Sequence, residues 1–210
     1  MFEDILLRTI IMAPPILLAL SVHESAHAWA ADRLGDHTAR MLGRVTLNPI
    51  RHLDPVGTLA IFLSGMFGWA KPVPVNPRNF RDPGRAMMWV ALAGPVTNLF
   101  LAALFAGVYK LFVAAGDPLG GPVSRPLFLM VEMSIFLNVG LAVFNLIPVP
   151  PLDGSKVLAN LLPSDKALTY LRIEPYGFMI LLVLIFTGVI HSVMSPIVYL
   201  TVGLLMGGVF

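Results

Sequence analysis

The sequence predicts an all-α polytopic membrane protein with about five to six transmembrane helices. Of its 210 residues, 57% are hydrophobic and 12% are charged, and the mean hydropathy is +0.81. Soluble domains carry about 25% charged residues, so this composition leaves little room for a separate soluble domain. Several apolar runs are long enough to cross a bilayer, and the eighteen prolines and eighteen glycines are typical of kinked or broken membrane helices.

The chain has no cysteine, which excludes disulfides and thiolate zinc sites. Any bound metal must therefore take its ligands from His, Asp or Glu. The net charge of +2 is too small to indicate a nucleic-acid partner, and we expect none. We interpret the basic residues as topology signals for a chain whose surroundings are the lipid bilayer.

The first apolar segment carries the motif His-Glu-Ser-Ala-His at residues 23–27. His23 and His27 are four positions apart and therefore lie one helical turn from each other, so both imidazoles can reach a single Zn²⁺. Glu24 lies beside the metal, where a water bound to the zinc would be. The spacing therefore predicts two ligands and a candidate acid/base.

The surroundings of this motif favour function over chance. The pattern by itself occurs by chance in many proteins, but here it lies in a first span predicted over residues 5–31, with no charged residue from Ile10 to Val22. An ionisable side chain inside a bilayer costs about 3 kcal/mol or more. Three such residues within five positions indicate a metal site. The pair Pro14-Pro15 is expected to kink this helix or to start it afresh.

The second part of the chain combines a polar loop with a short apolar run. In the loop 32–54, His52 and Asp54 are candidate ligands, although turn residues are the favoured interpretation. Residues 56–70 are apolar, but as a helix they reach only about 22 Å, short of a hydrocarbon core of about 30 Å. A re-entrant segment and a full span both remain open at this point. The prolines of residues 71–77 predict extended backbone.

Two further spans are predicted at residues 86–115 and 128–148. Asn98 lies within the first of them. A hydrogen-bonding residue between helices is the favoured interpretation, and a catalytic role is the alternative. The second span ends at a proline-rich stretch, after which residues 152–162 read as a short amphipathic helix.

Two apolar runs, 176–190 and 193–210, close the chain. We predict that residues 163–210 contain a C-terminal helical hairpin, whereas residues 1–162 form the catalytic membrane core. His191, between the two runs, is interpreted as an interfacial residue.

The third zinc ligand can be sought by counting membrane crossings. Catalytic zinc commonly has three protein ligands, and all three must lie at one depth. His27 lies about 6 Å inside the first boundary, and Asp153 also lies near a boundary. The two share a side only if the chain crosses an even number of times between them. Of the three intervening apolar segments, the short one at 56–70 is the candidate that does not cross.

The basic residues support the same topology. If residues 56–70 are re-entrant, the loops 32–54, 71–85 and 152–175 face one side and hold eleven of the fourteen Lys and Arg residues. The positive-inside rule then makes the side of the zinc site cytoplasmic. The expected location is a cell membrane, with the active site towards the cytoplasm.

These motifs resemble the site-2 protease family of intramembrane zinc metalloproteases. The resemblance covers about residues 15–162. It rests on the motif at 23–27, on Ala93-Gly94-Pro95 with Asn98, and on the stretch from Asn145 to Gly154 that ends in Leu-Asp-Gly. The loops Asn48–Gly57 and Lys71–Pro77 resemble those of a small bacterial type of this family, for which we expect no PDZ or CBS domain.

The resemblance also implies roles for individual residues. His23, His27 and Asp153 are the implied zinc ligands, and Glu24 is the implied catalytic acid/base. Asn145, and more weakly Asn98, are implied to lie near the substrate or the developing oxyanion.

The sequence thus predicts a zinc metalloprotease that holds one Zn²⁺ and hydrolyses peptide bonds within or near transmembrane segments. Its partners would be transmembrane proteins or peptides. Two rivals remain open: a metal transporter that uses the same ligands as a transit site, and a protease-like scaffold that binds membrane partners without cutting them. The substrate, the regulation and the oligomeric state are not determined by the sequence.

Overall fold

The computed structural model describes residues 2–57, 59, 69–116 and 124–208, with side chains from residue 10 onward. Within these residues the structure is helical, and the β pairing is an isolated bridge between Leu53 and Ala70. The helices are α1 (Phe2–Arg33), α2 (Thr38–Met41), α3 (Pro83–Ala114), α4 (Ser124–Asn145), α5 (Asp153–Leu161), α6 (Ser164–Leu171), α7 (Gly177–Phe186) and α8 (Val189–Met206). Short 3₁₀ turns lie at Pro49–Arg51, Pro77–Asn79 and Glu174–Tyr176.

Five stretches of the described chain are helical, long and apolar enough to cross a membrane. They are Ile10–Arg33, Pro83–Ala114, Ser124–Asn145, Ser164–Phe186 and Val189–Met206. This finding confirms the prediction of an all-α polytopic protein. Large apolar side chains such as Phe100, Leu111 and Phe186 point outward from these helices, as expected for surfaces that face lipid.

Helix α1 runs through Pro14 and Pro15 without ending. The expectation that the two prolines start a new helix is therefore wrong. Each proline removes one backbone donor, but ending the helix inside an apolar segment would leave more N–H and C=O groups without partners. Continuation of the helix is the less costly alternative.

The helices pack through small and branched side chains. One buried cluster joins α3, α4 and α8 through Ala102, Ala106, Ile135, Val139, Val202 and Met206. A second cluster joins α1 to the start of α3 through Ala30, Ala31, Phe80, Ala86 and Val90. The alanines bring the backbones close together, which places α3 directly against the metal-ligand motif of α1.

The loops that carry the basic residues meet at one end of the bundle. The carboxylate of Asp36 accepts hydrogen bonds from the backbone N–H of Asn76 and from Nδ2 of Asn79, each at 2.7 Å. Gly84, at the start of α3, lies against the side-chain amide of Asn160 on α5. The three basic loops therefore share one side of the molecule, as the charge count predicts.

Most of the segment predicted to be re-entrant, residues 56–70, lies outside the described residues. Its ends, however, are described. The backbone N–H of Lys71 donates to the carbonyl of His52 at 2.8 Å, and Leu53 pairs with Ala70. A straight fifteen-residue helix would separate its ends by about 22 Å. The two ends of this segment therefore lie side by side, and the re-entrant conformation in between stays a prediction.

Candidate metal centre

Three buried side chains converge where α1, α3 and the start of α5 meet. The Nε2 atoms of His23 and His27 are 2.9 Å apart, and each lies 3.2 Å from Oδ2 of Asp153. The three residues are 4%, 7% and 7% exposed. Within the described residues they form the group of His, Asp and Glu side chains that is close enough to hold a metal ion.

The protonation of His27 follows from its backbone contact. Its Nδ1 lies 2.7 Å from the carbonyl oxygen of Val90 on α3. A carbonyl oxygen accepts hydrogen bonds and cannot donate them, so Nδ1 carries the hydrogen. The Nε2 atom of the neutral ring is therefore left with its lone pair directed at Asp153 and His23.

The protonation of His23 is set by a longer chain of hydrogen bonds, which starts at the backbone of α4. The carbonyl of Ser134 accepts from Nδ2 of Asn138 at 2.8 Å, and this fixes the orientation of the Asn138 amide. Its Oδ1 then accepts from Nδ2 of Asn98 at 2.7 Å, and Oδ1 of Asn98 accepts from Nδ1 of His23 at 2.6 Å. Both asparagines are fully buried. His23 therefore also presents the lone pair of Nε2 to the centre.

When both rings are neutral, three acceptors therefore meet at one point, because each ring carries its single hydrogen on Nδ1 and a carboxylate carries none. Such a group is repulsive unless a cation lies between its members. Tetrahedral bonds of about 2.0–2.1 Å place ligand atoms about 3.3 Å apart, and the sides of this triangle measure 2.9, 3.2 and 3.2 Å. The residues therefore fit a Zn²⁺ site with His and carboxylate ligands and an open fourth position.

Two glycines explain how the backbone brings these ligands together. A Cβ atom on Gly94 of α3 would lie 2.5–2.6 Å from the rings of His23 and His27, so this position has no room for any side chain. A Cβ atom on Gly154 would overlap the backbone carbonyl of Leu146. Glycine at 154 therefore lets α5 begin directly against the end of α4, which points Asp153 at the histidines.

The centre opens into a cavity of about 680 Å³. Glu24 is half-buried and lines this cavity together with both histidines and Asp153. Asn145 lines it as well, at the end of α4, where its Nδ2 donates to the carbonyl of Leu141 at 3.0 Å. The remaining wall is mainly apolar and includes residues 70, 72, 73 and 75 of the segment 70–75.

The structure gives the predicted site residues different positions. His23, His27, Asp153, Glu24 and Asn145 all border the cavity. Asn98 does not line the cavity, since it is buried behind His23 and contacts that ligand directly.

The two loop candidates lie elsewhere and have structural partners. Nε2 of His52 lies 2.7 Å from the carbonyl of Thr46. Oδ1 of Asp54 accepts hydrogen bonds from the backbone N–H groups of Val56 and Gly57. These are the turn contacts that the sequence favoured for both residues.

Two residues at this site were missed by the sequence reasoning. Asn138 is a polar side chain in the middle of an apolar span, the same signal that singled out Asn98. Lys156 follows Asp153 by one helical turn, and its Nζ lies 3.8 Å from the second carboxylate oxygen of that residue. Its signal was the amphipathic pattern of α5, which places residues 153 and 156 on one face.

A buried pair of histidines with a distant aspartate, inside a bundle of span-length helices, defines a membrane metalloprotein, and the intervening glutamate is typical of zinc proteases. The model of the family described as "Peptidase family M50" matches residues 116–188, which include Asn145 and Asp153. The chain belongs to peptidase family M50 and is a metalloprotease.

Relatives that match most of the chain are named as candidate zinc metalloproteases. YwhC of Bacillus subtilis (strain 168) is 42% identical over 181 residues, which cover 86% of this chain and 82% of the relative. Rip2 of Mycolicibacterium smegmatis is 30% identical over 186 residues, and Rip2 of Mycobacterium tuberculosis (strain H37Rv) is 31% identical over 188 residues. Each of these matches covers 87% of this chain and 69% of the relative. No solved structure matches the chain significantly.

Proposed function

We propose that this protein is an intramembrane protease that hydrolyses peptide bonds within or near the transmembrane segments of other membrane proteins. His23, His27 and Asp153 would hold one Zn²⁺ per chain. The observation that carries this proposal is the convergence of three acceptor atoms on one point, with both histidine Nδ1 atoms committed to other partners. The centre lies among helices that are long and apolar enough to span a membrane.

Glu24 is the residue that moves the proton in this proposal. When bound, zinc supplies a Lewis acid that polarises a carbonyl group and lowers the pKa of water towards about 7. Glu24 borders the same cavity as the ligands, so its carboxylate can take a proton from the attacking water and pass it to the leaving amine. Asn145, at the cavity wall, offers an amide N–H to the oxygen that develops negative charge.

The segment 70–75 is the proposed platform for the substrate. The peptide bonds of a transmembrane helix are hydrogen-bonded internally, so a substrate helix must unwind locally before it can be cut. Residues 72, 73 and 75 border the cavity, and Ala70 pairs with Leu53 at the start of this segment. An extended substrate strand would add to this segment through main-chain hydrogen bonds.

The side of the membrane is also part of the proposal. Asp36 connects the first basic loop to the second, and Gly84 and Asn160 connect the second to the third. These three loops hold eleven of the fourteen Lys and Arg residues. Their location on one side of the molecule supports a cytoplasmic orientation of the active site in a cell membrane.

The test of this function is the substitution Glu24→Gln. The amide keeps the size of the side chain but cannot accept a proton, so cleavage of a transmembrane reporter in proteoliposomes should fall by about 10²–10⁴-fold. Bound zinc, measured by elemental analysis of the same sample, should stay at one ion per chain. Glu132→Gln is the matched control, because Glu132 lies about 20 Å along α4 from Asn145, and its activity should equal that of the wild type.

Three results would contradict the proposal. Cleavage by the Glu24→Gln protein near the wild-type rate would remove Glu24 from the mechanism. Zinc flux into proteoliposomes without cleavage would favour a transporter. Binding of the reporter that leaves it intact, with the wild-type protein and zinc present, would favour the scaffold.

A further inference from the structure

A second cavity of about 610 Å³ lies between the first basic loop and the segment that follows Ala70. Three of its lining residues are cationic, namely Arg44, Arg51 and Lys71, and none of its described lining residues is acidic. Asn48 adds a neutral polar side chain. Its wall therefore combines several donors with a positive charge that no lining carboxylate balances, the composition of an anion site.

Arg44 is the residue that most needs an anion. It is 5% exposed, and one of its terminal nitrogens donates to the carbonyl of Lys71 at 2.5 Å. Its Nε is buried without a hydrogen-bond partner among the described residues, and no described carboxylate forms an ion pair with Arg44. Burial lowers the pKa of Arg44, and the charge of Glu24 acts in the opposite direction. A buried guanidinium with a free donor is costly unless a ligand completes its contacts.

The rim of this cavity is apolar and exposed. Leu42 and Ile50 line the cavity and are 57% and 77% exposed, and Met41 and Leu47 are also exposed on the same loop. Exposed apolar side chains beside arginines are typical of surfaces that lie at the boundary between lipid headgroups and acyl chains. The cavity is therefore placed where a phospholipid headgroup can enter it from the bilayer.

We propose that this cavity binds the phosphate diester of an anionic phospholipid from the leaflet that faces the basic loops. The guanidinium groups of Arg44 and Arg51 and the ammonium group of Lys71 would donate to the phosphate oxygens. Leu42 and Ile50 would contact the first acyl carbons. Because Pro72 borders both this cavity and the metal-site cavity, a bound lipid would also hold the proposed substrate platform in place.

The test measures retained lipid rather than catalysis. The full wild-type chain is purified from phosphatidylcholine bilayers, titrated with phosphatidylglycerol, and analysed by native mass spectrometry. Arg51→Gln and Lys71→Gln remove charge at exposed positions, so neither should disturb folding. Each is expected to weaken phosphatidylglycerol binding about fivefold, the usual effect of one basic residue near a membrane surface. Arg44→Gln should weaken it more, since Arg44 is the buried donor.

The matched controls are Arg78→Gln and Arg81→Gln, which remove the same charge from exposed positions on the same side without lining the cavity. They should change the affinity less than twofold. If the control variants and the cavity variants lost the same affinity for phosphatidylglycerol, surface charge alone would explain the binding, and the proposal would be overturned. Equal retention of phosphatidylcholine, or binding of inorganic phosphate as tight as that of the lipid, would also overturn it. None of these results depends on whether the protein cleaves peptides.

Discussion

At the scale of single residues, the tautomer of His23 depends on a backbone carbonyl three hydrogen bonds away. The chain through Asn98 and Asn138 has one consistent direction, because the carbonyl of Ser134 at its far end can only accept. Partners of this kind orient a metal ligand and keep its free nitrogen available. Asn98, for which the sequence left two roles open, has the geometry of a positioning residue for His23, the proposed zinc ligand.

The first prediction concerns this chain of hydrogen bonds. Asn98→Leu keeps the approximate volume but removes the acceptor for Nδ1 of His23, so the ring can adopt the wrong tautomer or rotate. Zinc affinity should fall by about 10–100-fold, the usual effect of losing such a partner. Competition with a zinc chelator measures the affinity. The ¹⁵N chemical shifts of labelled histidine report the tautomer directly.

Ser134→Ala is the control for Asn98→Leu, because the chain uses the backbone carbonyl of Ser134, whereas its hydroxyl donates to Met130. Zinc affinity and histidine shifts should stay at their wild-type values in this variant. Unchanged zinc affinity in Asn98→Leu would show that the buried amides only fill space.

A second prediction uses two glycines on α3. Gly94→Ala places a methyl group 2.5–2.6 Å from both ligand imidazoles, so these rings must move apart and zinc binding should be lost. Gly107→Ala lies on the same helix with nothing within 4 Å of the new methyl group. It should bind zinc normally and stabilise the helix by up to about 1 kcal/mol. Elemental analysis and thermal unfolding of both variants measure these effects, and normal zinc content in Gly94→Ala would contradict the packing argument.

At the scale of elements, Asp36 anchors the segment that borders the active-site cavity. Burial acts to raise the pKa of its carboxyl group, but hydrogen bonds from Thr38, the backbone of Asn76 and the side chain of Asn79 outweigh it and lower the pKa. A carboxylate whose pKa is depressed in the folded state stabilises the fold above its unfolded pKa of about 3.9. This contribution is lost as the pH falls through the folded value.

The third prediction follows from this linkage. Asp36→Asn removes the charge from four hydrogen bonds and should destabilise the protein by about 1–3 kcal/mol at pH 7. The gap to the wild type should shrink below about pH 4, as the wild-type carboxylate takes up its proton. Thermal unfolding in detergent at several pH values measures the gap.

Asp165→Asn, on the exposed first turn of α6, is the charge-matched control and should change stability by less than about 0.5 kcal/mol. A stability gap for Asp36→Asn that stays constant between pH 7 and pH 3 would exclude the carboxylate charge as its cause.

The observed ends of the last two helices differ from the ends that the apolar pattern predicts, because local backbone geometry sets them. The sequence placed the turn of the C-terminal hairpin between residues 190 and 193. The structure instead ends α7 at Phe186 and begins α8 at Val189, because Gly188 adopts φ = 78°, which favours glycine. His191 consequently lies within α8 rather than between helices.

At the scale of the whole molecule, the contact between α1 and α5 restricts the topology. His27 and Asp153 lie 3.2 Å apart and thus at one depth, so the chain between them must cross the membrane an even number of times. Helices α3 and α4 are each long and apolar enough to provide one crossing. Residues 52–53 pair with residues 70–71, so the two ends of the segment between them lie side by side, and we predict that this segment does not cross.

The fourth prediction tests this topology in cells. The chain has no cysteine, so single cysteines can be introduced without removing native ones. Leu47→Cys and Ser164→Cys lie on the side of the basic loops and should react with a membrane-impermeant maleimide only after the cells are opened. Ala115→Cys, beyond the end of α3, lies at the opposite side and should react in intact cells.

A detergent-solubilised sample is the control, since all three cysteines should react there. Labelling of Leu47→Cys in intact cells would contradict the cytoplasmic orientation. Opposite accessibility of Leu47→Cys and Ser164→Cys would contradict the even number of crossings.

By itself, the sequence determined the class of the molecule, the apolar helices and the residues proposed as metal ligands. These features are local: hydropathy is summed over adjacent residues, and two histidines four apart meet on any helix. An even number of crossings between His27 and Asp153 could also be predicted. In a bilayer, two residues can bind one metal only if they lie at the same depth and on the same side, and both can be estimated from the lengths and number of the apolar runs.

The tertiary structure alone decided the contacts of Asn98 and Asn138, the place of the segment 70–75 and the cationic cavity around Arg44. Each depends on contacts between residues distant along the chain, such as the 75 positions between His23 and Asn98 or the 27 between Arg44 and Lys71. Hydrophobic periodicity does not predict such pairs. It shows which face of a helix is apolar, but it does not show which residues of another helix pack against that face.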